Sequence, residues 1–259
     1  ATTRRSLALR VFPLRAEPVR SPPTCRAPPQ AAPPSRSKLA PISRSVPRDV
    51  YARARAIPLG LSLACEGAYL SACAQFEQGV RDLIEEAAMK AAAKKGTFAL
   101  LPPEMQNCHT NGCGNILQNL AQDKFGHLTA AGIVSALHGC VVTGAPPISL
   151  NVEAFSSNER NFKPQIISEH VKRLGVKKVW SLIRLQPSLQ SHFGTASSDD
   201  AEKFARERLE RIMDKRNTII HRGKGFAAPS DDEVRECARF FTVLIESLAH
   251  VLVDYIATL

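Results

Sequence analysis

Apolar residues recur most regularly at the C-terminal end of the chain. Val234, Cys237, Phe241, Leu244, Ile245, Leu248, Val251, Leu252, Tyr255 and Ile256 form one long helical seam. Just ahead of it, Pro229-Ser230-Asp231-Asp232-Glu233 offers a capping Ser with a Glu three places later. Together they predict a helix over 231–258. The seam covers more of the helix than one contact needs, so part of it is expected at an interface. A second pattern precedes it: Ser198-Asp199-Asp200 opens a segment in which Phe204, Leu209, Ile212, Met213 and Ile220 alternate with charged residues. That spacing predicts a helix over 199–222, ended by Gly223. Arg216 falls on its apolar stripe. A charge there must find a partner or face an interface, because an isolated buried charge is expensive to desolvate.

Upstream, helical spacing predicts further helices over 62–95, 103–123, 127–142 and 164–184. Residues 143–162, with Pro146-Pro147 and Ser156-Ser157-Asn158, read as a connecting loop. Period-2 alternation is scarce. The expected fold class is therefore all-α, a helical bundle of about 200 residues, which is enough for one core. No run of 18 residues is wholly apolar, so no membrane span is expected.

Charge divides the chain in two. Residues 1–55 hold twelve basic and two acidic residues and so carry the whole net charge of +10. The balance over 56–259 is zero, and the basic character does not describe the folded domain. The first segment is also rich in Pro pairs, such as Pro22-Pro23, Pro28-Pro29 and Pro33-Pro34. Such a composition buries too little apolar surface to offset its ordering entropy, so a disordered or polyproline-like tail is expected over 1–55, with the domain at 56–259. Three readings of the tail stand side by side: an inert or non-natural extension, an electrostatic arm for RNA, and an Arg-rich transit peptide.

The seven Cys are odd in number and irregularly spaced, which favours reduced thiols in a cytoplasmic protein over a disulfide framework. Cys108-His109 and Cys113, with His138 or Cys140 as a fourth ligand, are the one candidate zinc cluster. Their spacing is not that of a zinc site, and small apolar packing is the preferred account of these thiols. A phosphate-binding Gly loop, a Gly-x-Ser-x-Gly elbow and His-Glu-x2-His are all absent from the sequence.

One stretch carries a chemical proposition. Arg216-Asn217-Thr218-Ile219-Ile220-His221 places a permanent cation and a titratable imidazole five positions apart, which is a minimal kit for cleaving RNA without a metal. Five residues of α-helix turn through about 140°, so the two side chains do not share a face.

A charged helix ending in Arg-Asn-x3-His-x-Gly, a short loop and a capped amphipathic helix resembles the C-terminal helix pair of a HEPN domain, closest to the RiboL-PSP-HEPN group. The helix of Ala68–Ala92, with Phe76-Glu77-Gln78-Gly79-Val80-Arg81 at its middle, looks like that family's first helix. Asn161-Phe162-Lys163-Pro164-Gln165-Ile166-Ile167, leading to Leu174-Gly175-Val176, looks like its segment between the helix pairs. The resemblance implies a metal-independent endoribonuclease without a cofactor, leaving 2',3'-cyclic phosphate and 5'-hydroxyl ends. Arg216 and His221 would be catalytic and Asn217 supporting. Glu77 and Asp214 are additional acidic candidates, since a carboxylate beside an imidazolium fixes its tautomer and raises its basicity. The same resemblance implies a homodimer with a composite active site, RNA as the substrate, and an antitoxin or other regulatory protein as a partner. The roles it permits are toxin, antiviral effector and RNA-processing factor. The rival reading is a non-catalytic HEPN module that binds RNA or a partner protein.

Overall fold

The computed structural model describes the backbone of residues 48–144, 146–157, 161–221 and 227–259, with side chains from Gly60 onward. The tail before Arg48 and the helix stop at Gly223 fall outside these residues. The described residues form helices and no strands, as an all-α reading requires. Among the described residues nine α-helices follow in order: α1 (Arg48–Lys95), α2 (Pro103–Gln118), α3 (Ala130–His138), α4 (Glu153–Ser156), α5 (Pro164–Arg173), α6 (Val179–Ile183), α7 (Pro187–Phe193), α8 (Ser198–His221) and α9 (Asp231–Thr258).

Several boundaries differ from the sequence expectation, each for a local reason. Helix α1 starts at Arg48 instead of 62. The segment expected as one helix over 164–184 breaks into α5 and α6 at Gly175, whose φ is +100°. A Cβ at Gly175 would lie 2.3 Å from the Tyr255 hydroxyl oxygen, which donates a hydrogen bond to the Leu174 carbonyl at 2.9 Å. Only glycine fits there. Helix α7 was not expected; Pro187 at its first turn supplies a preset φ and needs no hydrogen-bond partner. Within the expected loop, short α4 meets α2 at Gly112, where a Cβ would lie 2.6 Å from the Cβ of Ala154.

The core is built on α1 and α9. Tyr69, Cys73, Phe76, Val80 and Ile84 line one buried stripe of α1. Phe76 stacks on Phe241 of α9 with ring centroids 4.2 Å apart, and further along Lys94 donates to the Ile256 carbonyl at 2.8 Å. The two helices therefore run in the same direction. Helix α9 begins at the expected capping box, with Glu233 N donating to Ser230 Oγ at 3.2 Å and Ser230 N to Glu233 Oε2 at 2.8 Å. Part of its surplus apolar circumference is covered within the chain. Phe240, which the seam omitted, is fully buried against Phe193, and Ser247 meets Ser188 of α7. By length and composition α9 could cross a membrane, yet it packs as a core helix against α1, α6 and α7.

Candidate nucleic-acid site at the end of helix 8

Helix α8 stays α-helical through His221. Ala205, Leu209, Ile212 and Ile219 form its buried stripe, while Phe204 and Ile220, both assigned to the stripe from sequence, are 40% and 47% exposed. Arg216 lies between Ile212 and Ile219 on that stripe and is half-buried, as is Asn217. His221 is exposed, and no hydrogen bond or ion pair ties it to another described residue. Regular geometry separates Arg216 from His221 by about 140° of rotation and about 7.5 Å of rise. One chain thus presents the pair on two different faces.

Arg216 has an unusual set of neighbours for a partly buried cation. Its Nη1 donates to Asn217 Oδ1 at 3.1 Å, and among the described residues it forms no ion pair with a carboxylate. Most of its five N–H donors remain uncommitted. Asn217 Oδ1 also accepts from Asn161 Nδ2 at 2.6 Å, so one amide oxygen gathers two donors.

The neighbours of Asn161 hold this corner in place. Phe162 is fully buried, with the Arg81 guanidinium 4.9 Å from its ring centroid and the His170 ring 5.1 Å away. Lys163 Nζ reaches back to α8, 2.6 Å from Glu210 Oε1 and 2.7 Å from Asp214 Oδ1. Asp214 and then Glu210 hold the Lys163 ammonium above its ordinary range. The Asp214 carboxylate is thus paired with Lys163, and no recorded contact joins it to His221. His170 lies behind Phe162, where burial, then the Arg173 charge, pushes it down to about 4.

Glu77 sits on α1 with Oε1 buried and without a hydrogen-bond partner among the described residues. Its charge acts on the Cys73 thiol, which is also within the field of Arg216. A hydrogen bond with Cys237, followed by burial, pushes that thiol up; Glu77 adds to the rise and Arg216 opposes it. Glu77 therefore belongs to the Cys73 neighbourhood, with no hydrogen bond or ion pair to His221 among the described residues. The sequence marks Asn161 and Lys163 only as part of the segment between the helix pairs, not as neighbours of the motif. Their partners lie 56 and 47 residues away, beyond any local pattern.

Within the Cys108-His109-Cys113 group, Cys113 Sγ lies 3.6 Å from His109 Nε2. His109 is buried beside Phe98 and Phe155, its Nε2 accepts from the Asn151 backbone N–H at 3.0 Å, and burial pushes it down to about 4. The Cys108 thiol donates to the Ala154 carbonyl, and burial pushes it up to about 11. No group of three or more His, Cys, Asp or Glu among the described residues is placed to hold a metal ion.

The RiboL-PSP-HEPN family model matches residues 62–254. Comparisons with curated proteins and with solved structures return no match.

Proposed function

The chain belongs to the RiboL-PSP-HEPN family, and on that premise we propose that it is a metal-independent endoribonuclease whose catalytic groups are Arg216 and His221, supported by Asn217. The RNA 2'-hydroxyl attacks its own 3'-phosphorus and the 5'-oxygen leaves, giving a 2',3'-cyclic phosphate and a 5'-hydroxyl. His221 takes the 2'-hydroxyl proton or gives one to the leaving oxygen. The Arg216 guanidinium stabilises the charge that builds on the non-bridging oxygens. The observation that carries this reading is the half-buried Arg216 whose recorded hydrogen bond goes to a neutral amide, with no carboxylate paired to it. A structural arginine at such a position would be expected to hold a carboxylate. The test is incubation of the full chain with RNA in EDTA, followed by mapping of the ends. Cleavage leaving 2',3'-cyclic phosphate is the expected result; dependence on an added divalent ion would overturn it.

The separation of Arg216 and His221 on α8 leads to the assembly. We propose a two-fold dimer in which the motifs of two copies face one shared cleft, bringing Arg216 of one chain toward His221 of the other. The exposed Ile220, next to His221, offers apolar surface for that contact. On α9, α6 and α7 cover part of the surplus apolar surface, while Val253 stays 43% exposed. Mixing Arg216→Ala chains with His221→Ala chains is expected to restore cleavage to about a quarter of wild type or more, since half of randomly paired dimers hold one intact composite site. No recovery in subunit-exchanged mixtures sinks the shared cleft. The same geometry favours a second reading: a chain that stays monomeric leaves the pair unassembled and acts as a non-catalytic HEPN module binding RNA or a partner protein.

A further inference from the structure

Asn217 carries a polar group whose orientation is decided from outside its own helix. Its Oδ1 accepts from both Asn161 Nδ2 and Arg216 Nη1, so its own Nδ2 is turned away from them with two N–H donors. Without Asn161, the amide could rotate freely about its last bond. Arg216 would then lose a fixed acceptor, and both residues would have to be reordered during the reaction. Asn161 is itself held firmly. Lys163 N donates back to the Asn161 carbonyl at 2.7 Å, closing a three-residue turn. The next side chain, Phe162, is buried under Arg81, and the one after it, Lys163, is fastened to Glu210 and Asp214 of α8. Three successive residues therefore anchor this turn to the bundle, and the first of them aims its amide at the motif.

We infer that Asn161 is a positioning residue for the proposed RNA site, fixing the Asn217 amide and through it the Arg216 guanidinium in the orientation that receives a phosphate. The inference rests on the nuclease reading given above and adds a residue outside the Arg-Asn-x3-His motif. It also gives the connecting segment a role at the site. Because Asn161 acts as a donor, its isostere with the opposite polarity is the sharpest probe. A carboxylate in its place cannot donate to Asn217 Oδ1, and it offers Arg216 a competing anion.

The test uses the full chain with Asn161→Ala, Asn161→Asp, Asn217→Ala and the Asn161→Ala/Asn217→Ala pair, each assayed well below its measured unfolding midpoint. Two quantities are read: kcat and KM on a short single-stranded RNA, and affinity for the same RNA with every 2'-hydroxyl methylated, which cannot undergo cleavage. Asn161→Ala is expected to lower kcat about tenfold with KM little changed, the size of effect that loss of orientation produces. Asn161→Asp is expected to lose more than Asn161→Ala in both readouts. Adding Asn161→Ala to Asn217→Ala should cost nothing further, since the first residue acts through the second. Wild-type rates in both Asn161 variants, or the same added loss with Asn217 already removed, would overturn the assignment. If the wild type binds the methylated RNA without cleaving the natural one, the nuclease reading fails and affinity decides: a loss of about tenfold in Asn161→Asp upholds the positioning role, and unchanged binding refutes it. A wild type that neither cleaves nor binds refutes both.

Discussion

His221→Ala is expected to lower kcat for RNA cleavage by about 10²- to 10⁴-fold, the usual worth of a general acid or base. Arg216→Ala should cost about 10²- to 10³-fold, as loss of one preorganised donor to a developing oxyanion does. The structure makes the two variants differ in stability. His221 is exposed and makes no recorded contact, so its removal should leave the unfolding free energy within about 0.5 kcal/mol of wild type. Arg216 is half-buried and bonded to Asn217, and about 1 kcal/mol goes with that hydrogen bond. Arg216→Lys keeps the charge but not the planar fork, and is expected to recover only part of the rate. Single-turnover cleavage and urea melts of the same preparations check all three. Undiminished cleavage by the His221 variant would remove that residue from the mechanism.

Acid should weaken the fold through its buried imidazoles. His109 and His170 are both buried, and both are pushed from 6.5 down to about 4. Between those values the unfolded chain binds more protons than the folded one, so stability rises with pH across the window. The contribution is full above about pH 6.5 and is lost as pH falls toward 4. From pH 7 to pH 5 the loss is about 2 kcal/mol for each imidazole. Glu233 is held low by Lys215 and then by the Ser230 backbone N–H, so its own titration falls below this range. Urea melts at pH 7 and pH 5 measure the difference. His170→Phe, which keeps a neutral ring beside Phe162, should remove that ring's share of the pH dependence and leave the shares of His109 and of His192, which burial also pushes down. A flat profile between pH 7 and 5 would show that both rings charge freely in the folded state.

What the sequence displayed follows from how local each signal is. The start of α9 was legible because its cap is written in four adjacent residues, Ser230 through Glu233. The phase of α8 was read less well. Ile219 and Ile220 are neighbours of equal hydrophobicity, so pattern alone does not choose between them, and packing buries the first. Ala201 and Ala205 are fully buried, yet alanine scarcely marks an apolar stripe. Gly175 stands within a recognisable segment, but the closeness of Tyr255 that excludes a side chain there is set by a residue 81 positions from the Leu174 carbonyl it binds. The candidate site divides in the same way. Arg216, Asn217 and His221 stand together in the chain and were found there. Asn161 and Lys163 reach α8 only through the fold, as does the engagement of Asp214 with Lys163. The charge of Glu77 stands in the sequence, whereas the burial of its Oε1 depends on how α1 packs.

The partnership of α1 with α9 also bears on how the protein is made. Lys94 and the carbonyl it caps are 162 residues apart, and Phe76 must wait similarly long for Phe241. At ordinary speeds of translation that interval is on the order of ten to thirty seconds. Throughout it, the apolar stripe of the first helix lacks the surface that will cover it, and the loop-closure entropy of joining the two is not yet repaid. Helix α8, with Arg216 and His221, leaves the ribosome before α9 does. The bundle that orients those residues cannot close until α9 follows, so an emerging chain carries the motif without the frame that holds it in the finished fold.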